Sequence, residues 1–405
     1  MTDQNFSLSD FDYHLPESLI AQKPADPRDH SRLLVYNRQN GSITDDFFYN
    51  FANHLPENST LVLNNSRVEK VRLLFGKKEV FITRVIDPYT VEAIIRPGKR
   101  FRTGKTVTLI DPDNQTTPDN PTNHVPQLNL NTYSNHGSHT DRGSRTDHTN
   151  HSNPSDDYTH SGTTEQDTSP RKLVRAEVLH TSEDGLRTLR FNYPVNHPIF
   201  DPYRHTPFPP YIKPDENLAG RYQTIFARDK GSKAAPTAGL HFTDHVFSEL
   251  KKKSVQKIEL TLHVGLGTFA LVKTESIQEH KMHSEWYQIT PEATEALRKA
   301  RFITAVGTTS ARVLESAAEQ DGYGTPGKAP FRDFQAHEQE TDIFITPGYQ
   351  FRAVDALLTN FHLPKSTLLM MVSAFIGIDE MHRIYRHAIH KKYRFYSFGD
   401  AMLLL

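Results

Sequence analysis

The chain has 405 residues, long enough for two or more domains with cores of their own. Its 47 Lys and Arg against 48 Asp and Glu leave a formal charge of −1, so no global field draws it to nucleic acid or a membrane, and such contact must rest on a local patch. It contains no Cys, which excludes disulfides, thiolate metal sites and a thiol nucleophile.

The start, MTDQNFSLSDFDYHLPE, carries no basic n-region and no apolar h-region, and LLMMVSAFIGI is too short to span a bilayer. A cytoplasmic protein is expected. The next segments, IAQKPADPRDHSRLLVYN and TDDFFYNFANHLPE, have mixed helix and strand character. β-Rich runs follow: STLVLNN, VRLLFG, EVFITRVI, YTVEAIIRPG, KTVTLI, then LVRAEVLHT and LRTLRFNYPV. Turn signals at Asp87-Pro88 and Pro97-Gly98 separate them, and short strands so spaced predict a small antiparallel β-barrel or sandwich over residues 67–197. Within it, residues 112–170 are dominated by Asn, Thr, Ser, Asp, His, Pro and Gly. Such a stretch buries too little apolar surface to offset an ordering cost of about 1–2 kcal/mol per residue. It is read as a disordered insertion in a loop, and its His residues lack a fixed ligand spacing.

Beyond residue 198 strands alternate with helices. FDPYRHTPFPPYIK is a Pro-rich connector. A helix is expected over Asp244–Lys253 behind Thr243, and another from Pro291 to Arg301 behind Thr290. Thr309 or Ser310 caps a helix to Glu319, and Ser366 opens the buried helix STLLMMVSAFIG. YRHAIHKKYRF extends the last helix. KIELTLHV, FITAVG and DIFITPG read as strands, and VDALLTNF as mixed. This alternation predicts an α/β domain over residues 1–66 and 198–405, interrupted by the small β-barrel.

LTLHVGLGTF ends in a run that fits the dinucleotide fingerprint G-x-G-x-x-G/A. That fingerprint needs a helix directly afterwards, and LVKTESIQEHKMHSEWYQIT has no helical period and ends in a strand at Trp286, Tyr287 and Ile289. KAAPTAGLHFT packs small residues, including Gly239, and His241 ahead of a helix, as a ligand-approach turn or a tight structural turn would. GTTSARVLES sets Thr308, Thr309 and Arg312 at a helix start, which suits a polar or anionic group and equally a plain cap. EHKMHSEW gathers His280, His283 and Glu285, residue types suited to acid–base work. NFHLPKST puts Asn360, His362 and Lys365 at the mouth of a buried helix, and LNNSRV offers Asn64, Asn65 and Arg67. RPGKRFRTGK carries Arg96, Lys99, Arg100, Arg102 and Lys105 around Phe101, a phosphate-contacting strip or a solvated hairpin.

Taken in order, LPESLIAQKPADPRDHSRLLV, VLNNSRV, RPGKRFRTGKTV, PFPPYI, KAAPTAGLHFT, TLHVGLGTF, HKMHSEWYQI, AVGTTSARVLES, VDALLTNFHLPKSTLLMMVSAF and YRFYSFGDAMLLL resemble the S-adenosylmethionine:tRNA ribosyltransferase-isomerases of queuosine biosynthesis. The resemblance covers residues 8–110 and 171–405; 112–170 lies outside it. Ser66 stands where the family usually has Thr, and Ala270-Leu271 follows GTF where a residue and Pro are usual.

The resemblance implies an α/β domain interrupted by a small β-barrel, and transfer of the ribosyl part of S-adenosylmethionine to 7-aminomethyl-7-deazaguanine in a tRNA anticodon. Epoxyqueuosine, adenine and methionine are the implied products. S-Adenosylmethionine is then a consumed substrate, and no separate cofactor and no metal are expected. Nor is a membrane or an obligate protein partner; the chain is expected to be a monomer. Such chemistry needs a base beside the sulfonium and a proton donor for departing adenine. His280, His283 and Glu285 are the candidates, with His241, His263 and His362 as alternatives. Gly265, Gly267 and Thr268, with Gly239, would let backbone close on the nucleoside. Thr308, Thr309 and Arg312 would hold the methionine carboxylate; Asn64, Asn65 and Arg67, with Asn360, would bind ribose or the incoming base. tRNA would meet the Arg96–Lys105 strip, or Lys391, Lys392 and Arg394. A metal-dependent hydrolase, a tRNA-binding protein without turnover and a dinucleotide oxidoreductase are the rival readings.

Overall fold

The computed structural model describes residues 6–110, 173–183, 185–265, 272, 274, 276–320 and 334–405. The insertion expected over 112–170, and Gly267 and Thr268, lie outside these residues.

Two sheets organise the chain. Before residue 70 come β1 (Arg32–Asn37), β2 (Ser42–Phe47), β3 (Thr60–Asn64) and β4 (Ser66–Val68). Then follow β5 (Arg72–Phe75), β6 (Lys78–Val85), β7 (Thr90–Arg96), β8 (Thr106–Ile110), β9 (Val174–Thr181) and β10 (Arg187–Phe191). The short β11 (Arg204–His205) and β12 (Asp229–Ser232) precede α1 (Asp244–Lys252) and β13 (Gln256–Leu262). Next are β14 (Glu285–Ile289), α2 (Pro291–Lys299), β15 (Ile303–Val306), α3 (Gly307–Gln320) and β16 (His337–Thr341). The chain closes with β17 (Ala356–Asn360), α4 (Thr367–Ile376), α5 (Ile378–His390) and β18 (Ala401–Leu404).

The nine-stranded sheet runs β16-β14-β13-β3-β15-β17-β18-β1-β2. Strands β13, β3, β15 and β17 are mutually parallel. Central β3, β15, β17 and β18 are buried at every residue, because both faces of the sheet are covered. Strand alternation divides their side chains between two cores. Leu34, Val62, Ala305, Leu357 and Met402 face one that includes residues of α2, α3, α4 and α5. Leu33, Leu61, Val306, Leu358 and Leu403 face the other, which α1 and the 3-10 turn Phe48–His54 cover.

Local caps set the helix starts. Thr243 accepts from the Val246 N–H, Thr290 from Ala293 and Ser366 from Leu369. The helix expected behind Thr309 or Ser310 starts earlier, at Gly307. Gly307 has φ +84, so β15 turns directly into α3. DIFITPG is no strand; the preceding HEQET pairs with β14 instead.

The seven-stranded antiparallel sheet has the order β11-β5-β6-β7-β10-β9-β8. The expected small barrel is a curled half-barrel, an antiparallel sheet that β8 and β11 end without pairing to each other. One face packs a core of Leu73, Val80, Val91, Ala176, Leu189 and Phe200; the burial of β9 alternates accordingly, its other face being exposed. No helix among the described residues is long and apolar enough to cross a membrane.

Candidate active site

Strands β3, β13, β15 and β17 end at one edge of the large sheet, the edge where parallel α/β sheets bind ligands. A cleft opens there. Its wall takes Val264 from beyond β13, Gly307, Thr308 and Thr309 from the start of α3, and Thr359, Asn360, Phe361 and His362 from the end of β17. Ala235–Ala238, Tyr211, Tyr396 and Ser397 complete it. The unpaired N–H groups of the first turn of α3 therefore lie at this cleft, with the positive end of the helix dipole. A second cleft holds His280, Met282, His283, Glu285 and Arg312 beside Phe344 and Met371, and Leu368 lines both.

The structure thus brings together Thr308, Thr309, Asn360 and His362 in one cleft, and His280, His283, Glu285 and Arg312 in its neighbour. Glu285 and Arg312 are each 5 % exposed and form an ion pair with each other. Glu285 Oε1 also accepts the Gly265 N–H at 2.7 Å, and Arg312 donates to the Thr341 carbonyl at 3.2 Å. The guanidinium is therefore engaged by protein groups, and so is the carboxylate. His280 lies edge-on to Phe344, and burial, helped by His283, lowers its pKa. His283 is exposed.

His362 is buried, its Nε2 lies 2.8 Å from Thr359 Oγ1, and burial holds its pKa at about 3. His241 does not line either cleft; it lies behind Asn360, with Nδ1 2.7 Å from Ser31 Oγ and Nε2 3.2 Å from Asn360 Nδ2. Burial first, then the charges of Arg394 and Arg28, hold it at about 3 as well. His263 stacks on Trp286 at 4.8 Å, and its pKa is lowered by burial and by Lys233. A Cβ on Gly231 would stand 2.7 Å from that imidazole, so the glycine permits its position.

Other expected residues serve the frame. Asn64 bonds both backbone groups of Leu262 and the Ser66 N–H, stitching β3 to β13. Asn65 Oδ1 accepts from Thr261 at 2.8 Å. Gly239 makes room for Thr224 and Phe226, each 2.8 Å from where its Cβ would stand. Arg67 is exposed on β4. Lys365 pairs with Asp12 and Arg394 with Asp400, leaving Lys391 and Lys392 exposed beside them. On the small sheet Lys99, Arg100, Arg102 and Lys105 are exposed, and none is ion-paired among the described residues; Arg96 is half-buried. Among those residues no three His, Asp or Glu side chains gather as a metal site would require. Reading the sequence did not single out Tyr211, Thr359, Tyr396 or Ser397, since aromatic and hydroxyl residues carry no chemical signature by themselves.

The described fold and clefts define a mixed α/β protein with a ligand edge on its parallel strands. The family described as queuosine biosynthesis protein matches residues 8–404. A protein of Desulfitobacterium hafniense named S-adenosylmethionine:tRNA ribosyltransferase-isomerase is 39 % identical, covering 98 % of this chain and 99 % of its own. One of Ralstonia nicotianae with the same name is 41 % identical, covering 98 % and 95 %. A crystal structure of S-adenosylmethionine tRNA ribosyltransferase from Thermotoga maritima is 32 % identical, covers 98 % of this chain and all of its own, and superposes with a TM-score of 0.47. The chain belongs to the S-adenosylmethionine:tRNA ribosyltransferase-isomerase family of queuosine biosynthesis, whose members are transferases.

Proposed function

We propose that the protein transfers and isomerises the ribosyl moiety of S-adenosylmethionine onto 7-aminomethyl-7-deazaguanine in a tRNA anticodon. Epoxyqueuosine-tRNA forms, and adenine and methionine leave. The observation that carries this reading is the pair of clefts joined at Leu368, which gathers motifs scattered from residue 211 to residue 397. The nucleoside occupies the first cleft, and the methionine carboxylate meets the start of α3 at Thr308 and Thr309. Arg312, bound to Glu285, supports that helix and takes no part in holding the carboxylate. His283 and His280 supply base and acid from the second cleft; Glu285 orients Gly265. S-Adenosylmethionine is consumed, so the reading calls for no separate cofactor.

Incubating the protein with S-adenosylmethionine and tRNA bearing the aminomethyl base tests this. Nucleoside mass analysis is expected to find epoxyqueuosine, with one adenine freed per base converted; an unchanged base refutes the reading. His283→Ala is expected to slow turnover by about 10²–10⁴, the usual share of a general acid or base.

Contact with tRNA is assigned to the strip between β7 and β8. Replacing Lys99, Arg100, Arg102 and Lys105 by Gln is expected to reduce the slope of log K against log salt by about 3, each lost phosphate contact removing about 0.7–0.9. An unchanged slope in a filter-binding titration would move the footprint elsewhere.

A further inference from the structure

One buried polar atom at the first cleft, Asn360 Oδ1, has no partner among the described residues. A buried acceptor without a donor is a standing cost that a bound ligand can remove. The Asn360 amide cannot simply turn to relieve it. Its Nδ2 reaches the carbonyls of Tyr396 at 3.2 Å and Asp400 at 3.5 Å, and carbonyls only accept. The nitrogen must face them, so the oxygen faces away from them. The third contact of Nδ2, with His241 Nε2 at 3.2 Å, requires that ring nitrogen to accept. His241 Nδ1 then carries the proton and donates to Ser31 Oγ at 2.7 Å. Only neutral imidazole satisfies both contacts, and the burial of His241, 4 % exposed, keeps it neutral.

We propose that Asn360 reads the adenine of S-adenosylmethionine, accepting an N–H of its exocyclic amine at Oδ1. His241 and Ser31 form the positioning pair that holds the Asn360 oxygen toward the base. The inference rests on the first cleft being the nucleoside site. The cleft wall carries aromatic surface: Tyr211 and Tyr396 both line it, their rings packed on each other at 4.7 Å. A 6-oxo purine would set its carbonyl against the fixed Asn360 oxygen, so the same geometry rejects the wrong base.

The test compares S-adenosylmethionine with its analogue bearing hydrogen in place of the 6-amino group, using kcat/KM and the natural tRNA substrate. The wild-type protein is expected to favour the amine by about tenfold to a hundredfold, since a site built to bond a polar group rejects the analogue lacking it. Asn360→Ala is expected to bring that ratio to about one to three, because the amine then has no acceptor to distinguish it from hydrogen. A merely structural role for Asn360 would lower both rates together and leave the ratio intact. Ser31→Ala, which frees the far end of the pair and spares the cleft wall, is expected to narrow the ratio and keeps the test open if Asn360→Ala does not fold. A wild-type ratio near one, or an undiminished ratio in Asn360→Ala, overturns the assignment while turnover of S-adenosylmethionine upholds the proposed function. No turnover of S-adenosylmethionine by the wild type refutes the proposed function, and this assignment with it.

Discussion

Arg312→Met is expected to lower the unfolding free energy by about 3–5 kcal/mol, because it strands a buried carboxylate. Both members of the pair are 5 % exposed, and Glu285 also accepts the Gly265 N–H. Arg312 is itself incompletely satisfied, since its Nε is buried without a partner. The pair is therefore dear to break and of small net worth, and removing both charges is expected to recover most of the loss. Glu285→Gln in the Arg312→Met background keeps an oxygen for Gly265 and leaves no charge buried. Urea unfolding of wild type, the single variant and the double variant checks this. A double variant as unstable as Arg312→Met would show that the guanidinium contributes packing rather than charge compensation. The double variant also separates structure from substrate contact. With the methionine carboxylate assigned to the start of α3, the affinity for S-adenosylmethionine is expected to stay within about threefold, well under the tenfold that 1.4 kcal/mol represents. A larger loss in a protein of recovered stability would return the carboxylate to Arg312.

What could be read beforehand was local in character. Thr243, Thr290 and Ser366 each precede an apolar helical run, so their capping was legible without knowing the fold. The buried runs of β3 and β15 and the alternation of β9 were equally plain. The errors came where tertiary contact decides. HEQET is polar, yet it becomes β16 because β14 offers it an edge, whereas apolar DIFITPG packs without a ladder. Closure of the small sheet depended on strands that never meet, and β11 is two residues long, too short to leave a pattern. Gly239 suits a ligand-approach turn or a tight structural turn in sequence, and Thr224 and Phe226 packed against it fit the second. At the site, candidate residues were found by type and neighbourhood, while their partners were not. Glu285 lies 27 residues from Arg312, and His241 lies 119 from Asn360; no spacing rule connects such pairs.

Stability is expected to fall steeply on acidification below pH 6.5, driven by His241 and His362. Both are held at about 3 against an ordinary value of 6.5, and burial is the leading cause for each. The sign follows from the depressed folded values. Between those limits the unfolded chain takes up protons that the folded chain refuses, so stability is fully present above 6.5 and is lost as pH falls toward 3. Two such groups give a limiting slope of about 2.7 kcal/mol per pH unit, at 1.36 kcal/mol for each proton. Glu315 acts in the opposite sense: burial raises its pKa although the N–H groups of Arg352, Ala353 and Val354 bond it, so its stabilisation is lost as pH rises through its folded value. Glu216, held at about 2 despite its desolvation by bonds from His205, Thr206 and Lys70, adds its loss below the ordinary carboxylate value of 4.5. Urea unfolding from pH 6.5 to 5 is the measurement, the proton uptake by histidine there being opposed by Glu315. His362→Gln is expected to lower the slope there by about 1.4 kcal/mol per pH unit, because one refused proton disappears, while His241 and the less strongly lowered His263 and His280 remain. A wild-type slope near zero in that interval would mean that neither imidazole is sealed from solvent, and that the neutral ring on which Asn360 depends is not enforced by the fold.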